Sequence, residues 1–177
     1  MLALVVAVGI AIVVWMVPAL RGPMVSGGAV GESGGQSGAA SATGTSMTVT
    51  SVHDGGTLYL QPDTGGEELK VRLIGIDTPE IGDDAECYGD VARDRLRALL
   101  PEGTAVTAVA EDGPLDQYGR SLLHLYLTDG THVNRVLIDD GLAWAMFYDP
   151  NRTFETEFRD AERAAEAAGS GMWGACF

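Results

Sequence analysis

Residues 26–46 are almost entirely Gly, Ser, Ala and Thr, a composition that buries too little apolar area to offset the entropy of ordering. This stretch reads as the body of a flexible linker over 22–46, so whatever folds must do so within 47–177. Upstream, Leu2 to Leu20 carry no charged or strongly polar side chain, and at ~1.5 Å per residue such a helix approaches the ~30 Å hydrocarbon thickness of a bilayer. Residues 1–21 are therefore expected to form a hydrophobic helix that anchors the chain in a membrane. A cleaved signal peptide is the alternative, with Val17 and Ala19 as a small-residue cleavage pattern. The chain is expected to be membrane-anchored or secreted with its folded part outside the cytoplasm, although Arg21 just after the run pulls the other way.

Charge narrows the function classes. The 177 residues carry 11 Lys+Arg against 25 Asp+Glu, a net of -14, and Arg21 and Glu32 are the only charged side chains before residue 47. A polyanion meets net repulsion from such a surface, which excludes a general nucleic-acid coat and confines phosphate binding to a local site. Lys70 is the sole lysine, so arginine, with its bidentate fork, supplies nearly all the positive charge. Two cysteines exclude a disulfide-rich scaffold and leave either one bridge or two thiols.

Within the folded part, residues 47–53 and 57–61 alternate apolar and polar around Asp54-Gly55-Gly56, which predicts a hairpin. A third strand over 69–76 ends where Pro79 forces Thr78 out of the helical region. Ala92, Leu96 and Leu99 recur at helical spacing between Cys87 and Pro101. Two further strands are expected over 105–110 and 121–128, then a short helix capped by Thr131 and ending at Gly141. A last helix capped by Thr153 would carry Phe154, Phe158, Ala161, Ala165 and Ala168 on one face. The order predicts an α+β fold, mainly β: a five-stranded OB-type barrel with three helices.

Arg72, Asp77 and Glu80 lie close together at the end of the third strand. Strict alternation would send Arg72 and Asp77 to opposite faces, so they meet only if Asp77 lies past the strand. An arginine fork, an oxygen-rich cation seat and a carboxylate base are the parts that phosphodiester hydrolysis needs, yet such a trio near a turn is far more often a solvated ion cluster. A second arginine, Arg120, follows the Tyr118-Gly119 turn at a strand mouth, beside an aromatic ring able to stack on a base.

These segments occur in a telling order: Val71-Arg-Leu-Ile-Gly-Ile-Asp-Thr-Pro-Glu80, Glu86-Cys-Tyr-Gly89, Asp116-Gln-Tyr-Gly-Arg120, Val133-Asn134, Gly141-Leu-Ala143 and Gly171-Met-Trp173. With these spacings, residues 47–177 resemble the staphylococcal-nuclease-like (thermonuclease) family. The resemblance implies an OB-fold nuclease that uses calcium to hydrolyse DNA and RNA. By position, Arg72 and Arg120 would grip the scissile phosphate and Glu80 would activate water. Asp77 and the Thr78 carbonyl would bind the ion, and Tyr118 would line the nucleotide pocket. Phe147 or Tyr148 would stand in for a family tyrosine, Tyr148 being the substrate-binding candidate. Cys87 and Cys176 would be close enough for a disulfide.

One position departs from the pattern. The family's first hairpin reads Asp-Gly-Asp-Thr, its second aspartate a calcium ligand, whereas this chain reads Asp54-Gly55-Gly56-Thr57. Calcium is accordingly expected to bind weakly, with Asp54 as a substitute donor. The competing expectation is a nuclease-like module that has lost catalysis and binds nucleic acid or protein. The expected partners are DNA and RNA as substrates and a membrane through residues 2–20; no protein partner is inferable. His53, His124 and His132 lack metal-ligand spacing and read as ordinary residues, Trp173 reads as a core plug, and Arg93, Arg95 and Arg97 as surface ion pairs.

Overall fold

The computed structural model describes residues 44–177. The expected hydrophobic helix at 1–21 and nearly all of the linker at 22–46 lie outside the described residues. Among those described, no helix is long and apolar enough to cross a membrane.

Five strands close into a barrel: β1 (Thr45–Val52), β2 (Thr57–Pro62), β3 (Leu69–Leu73), β5 (Ala105–Val109) and β6 (Ser121–Leu127), in the order β1-β2-β3-β6-β5. Alternation explains the closure. Val49, Leu58, Leu60, Val71, Leu73 and Leu125, each at most 1 % exposed, face one interior, and a closed barrel has no unpaired edge. Every barrel pair is antiparallel except β3 with β6. A parallel pair needs a long crossover, and residues 74–120 provide it, including α1 (Gly89–Leu99). Helices α2 (Val133–Asp139) and α3 (Glu155–Ala168) and the single turn α4 (Met172–Ala175) complete the domain.

The expected third strand is broken. β3 stops at Leu73, and a short β4 (Ile76–Asp77) pairs instead with β7 (Trp144–Ala145). The break falls at Gly75, whose φ of 77° disfavours any side chain. A Cβ there would also press on the rings of Phe147 and Phe158 at 2.9 and 3.1 Å. Asn134 in α2 holds the break from beneath: its amide donates to the carbonyls of Ile74 and Leu123 and its oxygen accepts from Leu125 N–H.

Three local expectations are corrected. Neither Thr131 nor Thr153 caps a helix: the N-cap residues are His132 and Phe154, without side-chain cap bonds, and the Thr153 N–H is taken by Glu111. The buried plug at the C-terminal end is Met172, 1 % exposed, while the half-buried Trp173 lies against Phe177. His124 and His132, read from the sequence as ordinary residues, are linked to each other in the interior. His124 is fully buried, and a hydrogen-bonded chain runs from His132 Nε2 to His124 Nδ1 (3.2 Å) and from His124 Nε2 to Glu111 Oε1 (2.7 Å). Phe154, at the N-cap of α3, packs on both rings, and Phe158 of α3 lies against both as well. Arg93 and Arg95 are surface pairs with Asp90 and Asp140. Cys87 and Cys176 form a disulfide with Cα atoms 6.1 Å apart.

Candidate active site

The break at Gly75 turns Asp77 back toward Arg72. Arg72 Nη2 donates to Asp77 Oδ1 at 2.5 Å and to the Ile76 carbonyl at 3.4 Å. The parallel β3–β6 register places Arg72 beside Leu122. Arg120 immediately precedes β6, and it lines the same cleft as Arg72. Arg120 is held by Asp116: Nε donates to Oδ2 at 2.6 Å, while Oδ1 accepts the backbone N–H groups of Tyr118 and Arg120, each at 2.9 Å. Gly119 makes the turn at φ 77°. Burial would raise the Asp116 carboxyl, but these three hydrogen bonds outweigh it and hold the group below the usual range.

Arg72, Asp77, Glu80, Tyr118, Arg120 and Tyr148 line one cleft of about 700 Å³. Tyr118 and Tyr148 are 75 % and 73 % exposed, so both rings offer stacking surface, and the Arg120 guanidinium sits 5.6 Å from the Tyr118 ring centre. Phe147 does not share that role, being packed against Phe158. The Arg120 terminal nitrogens make no hydrogen bond among the described residues, which leaves a fork suited to two phosphate oxygens.

Asp54 and Thr78 are not among the residues lining that cleft. Asp54 Oδ1 accepts the Gly56 N–H at 2.8 Å within its own hairpin, and Thr78 is buried behind Gly55 and Gly56. A Cβ on Gly56 would lie 2.9 Å from Arg72 Nη1 and 3.4 Å from Thr78 Oγ1, so a guanidinium occupies the space beside which a second carboxylate would begin. Thr57 faces Arg72 across the β2–β3 register, and its buried hydroxyl has no partner among the described residues. Calcium takes about six to eight oxygens, several of them anionic. The Asp77 carboxylate, already paired with Arg72, and the orphaned Thr57 hydroxyl do not by themselves complete a calcium seat. Among the described residues no group of three or more His, Cys, Asp or Glu side chains is placed to hold a metal.

Three contributors carried no marked role in the sequence. Asp116 clamps Arg120. Asn151 joins two cleft walls by exchanging hydrogen bonds with Gly113. Glu86 accepts the Glu80 N–H at 3.0 Å. The Asp-x-x-Gly spacing of an Asx turn was the one available signal for Asp116; the other two bonds leave no periodic trace.

Residues 70–175 match the family model of staphylococcal nuclease homologues. The chain belongs to that family. As a staphylococcal nuclease homologue it is 33 % identical over 133 residues to a thermonuclease of Staphylococcus intermedius, covering 73 % of this chain and 77 % of that one. It is 30 % identical over 128 residues to a thermonuclease of Staphylococcus hyicus, covering 71 % and 73 %. It also matches endonuclease YncB of Bacillus subtilis at 31 % over 112 residues, covering 61 % and 53 %.

Proposed function

We propose that this staphylococcal nuclease homologue hydrolyses phosphodiester bonds of DNA and RNA, with Arg72, Arg120 and Glu80 as its catalytic groups. The observation that carries the reading is that these three side chains line a single cleft together with the exposed rings of Tyr118 and Tyr148. The nuclease and endonuclease names of its relatives agree with it.

The geometry supports the following chemistry. Bases stack on Tyr118 and Tyr148, which brings a phosphate between the arginines. Their N–H groups donate to its non-bridging oxygens and neutralise the charge that grows as water adds to phosphorus. Glu80 accepts the proton of the attacking water, and the departing oxygen is protonated from solvent in the open cleft. Calcium assistance is implied by the resemblance alone, and with Gly56 in the hairpin weak binding is the most the cleft supports.

Residues 2–20 would tether this activity to a membrane or direct its export, a proposal that rests on their apolar composition. The second reading, a module that binds without cleaving, is favoured by Gly56. Cleavage of single-stranded DNA by the full chain, with and without calcium, separates the two. The nuclease reading expects measurable cleavage that falls by about 100-fold or more in Glu80→Gln. A parent silent at every calcium level while Gly56→Asp cleaves would establish the binding module.

A further inference from the structure

The segment from Glu80 to Gly89 joins β4 to α1 and contains no strand of its own, so no sheet ladder fixes the backbone of Glu80. It is instead closed at its neck by one residue. Glu86 Oε2 accepts the Glu80 N–H at 3.0 Å, and the Glu86 N–H donates to the Glu80 carbonyl at 2.9 Å. The Glu86 carbonyl in turn accepts the Gly89 N–H at 3.1 Å. The loop packs tightly there, since a Cβ on Gly89 would overlap the Glu80 carbonyl. The next residue, Cys87, is exposed and bridged to Cys176 just beyond α4. Glu80 is thus held by Glu86, and Glu86 is held beside a bridge that solvent reaches.

We infer that Glu86 is a positioning residue for Glu80, and that the Cys87–Cys176 bridge makes this positioning depend on thiol redox state. The inference rests on the nuclease reading for its effect on rate, though not for the clasp itself. A carboxylate accepting a backbone N–H is a charge-assisted bond, and a displacement of ~1 Å at a reacting group costs up to ~100-fold in rate. In the redox step an external dithiol attacks the bridge. The cystine S–S bond breaks, each cysteine sulfur ends as a thiol carrying a proton from the dithiol, and the dithiol closes to a cyclic disulfide.

The test follows two quantities on the full chain: hydrogen exchange of the Glu80 amide, with amides of β2 and β6 as the internal reference for global opening, and kcat and KM on single-stranded DNA. Glu86→Ala is expected to speed Glu80 exchange and lower kcat by about 10-fold each, with KM unchanged. Glu86→Gln, which keeps an acceptor oxygen, is expected to restore both to within about threefold. Dithiothreitol on the parent is expected to reproduce the Glu86→Ala pattern and to change nothing further in a Cys87→Ser/Cys176→Ser variant. Equal Glu80 exchange in parent and Glu86→Ala, failure of Glu86→Gln to restore it, or identical behaviour of reduced and oxidised parent would each overturn the inference. A parent that cleaves nothing removes the nuclease reading, and the exchange rates alone then decide whether Glu86 holds Glu80.

Discussion

Asn151 and Gly113, 38 residues apart, exchange two hydrogen bonds: the Gly113 N–H donates to Asn151 Oδ1 at 2.9 Å, and Asn151 Nδ2 donates to the Gly113 carbonyl at 2.7 Å. The pair ties the segment bearing Tyr148 to the loop bearing Asp116, Tyr118 and Arg120. Asn151 is 5 % exposed, so truncation leaves a peptide group unsatisfied. Asn151→Ala should cost about 1–3 kcal/mol in denaturant unfolding. It should also raise KM for oligonucleotides more than it lowers kcat, because it loosens the stacking walls and leaves the base alone; a larger loss in kcat than in KM would contradict this placement.

Asp116 spends both oxygens on positioning Arg120. Asp116→Ala frees the guanidinium to wander and strips two backbone N–H groups of their acceptor. kcat/KM should fall by about 10- to 100-fold while the barrel stays folded by circular dichroism. Asp116→Asn keeps one acceptor oxygen and should lie between the two.

Restoring a carboxylate at the hairpin tests the cation question without relying on turnover. A Cβ at residue 56 would lie 2.9 Å from Arg72 Nη1 and 3.4 Å from Thr78 Oγ1, and it meets side-chain atoms, with no backbone among its nearest neighbours. Gly56→Asp should therefore fold, and millimolar calcium should raise its melting temperature through preferential binding to the native state. The parent should show no comparable shift in the same titration. An equal rise in both proteins would mean that calcium finds its ligands elsewhere.

The buried histidines set an acid limit on stability. Burial, with the charges of His124 and Arg135 adding, pushes His132 from its ordinary 6.5 down to about 3. Burial also lowers His124, against the opposing pull of Glu111. Both rings are neutral in the folded protein near neutral pH. His124 then donates from Nε2 to Glu111 and accepts at Nδ1 from His132. The unfolded chain binds protons below about 6.5 and the folded one does not, so stability is full above that pH and declines as pH falls from 6.5 toward 3. Burial works to raise Glu111, yet the bonds from His124 and Thr153 hold it below 4.5, so its protonation adds to the loss at the lower end. His132→Phe keeps a ring against Tyr126 and should flatten the slope of urea midpoints between pH 6.5 and 4.

The barrel was readable because period-2 alternation and glycine-rich turns mark its strands, and the ordered motifs pointed to the family. The break at Gly75 was half-readable: the meeting of Arg72 and Asp77 demanded some interruption, but nothing local distinguished a break at Gly75 from one at Pro79. The histidine chain escaped because alternation assigns His124 to the outward side of β6, where His132, Phe154 and Phe158, all distant in sequence or on other elements, bury it. Glu86 and Asn151 act through side chain to backbone bonds that carry no periodicity, so their roles emerge only once the loops are placed in space.

The one parallel pairing in the barrel has a consequence for the growing chain. Because β3 meets β6 only after residues 74–120 have been made, a chain that stops near residue 110 holds one of the two cleft arginines and lacks the cleft wall contributed from Gly113 onward. The cleft is therefore one of the last features of the fold to be completed as the chain is made.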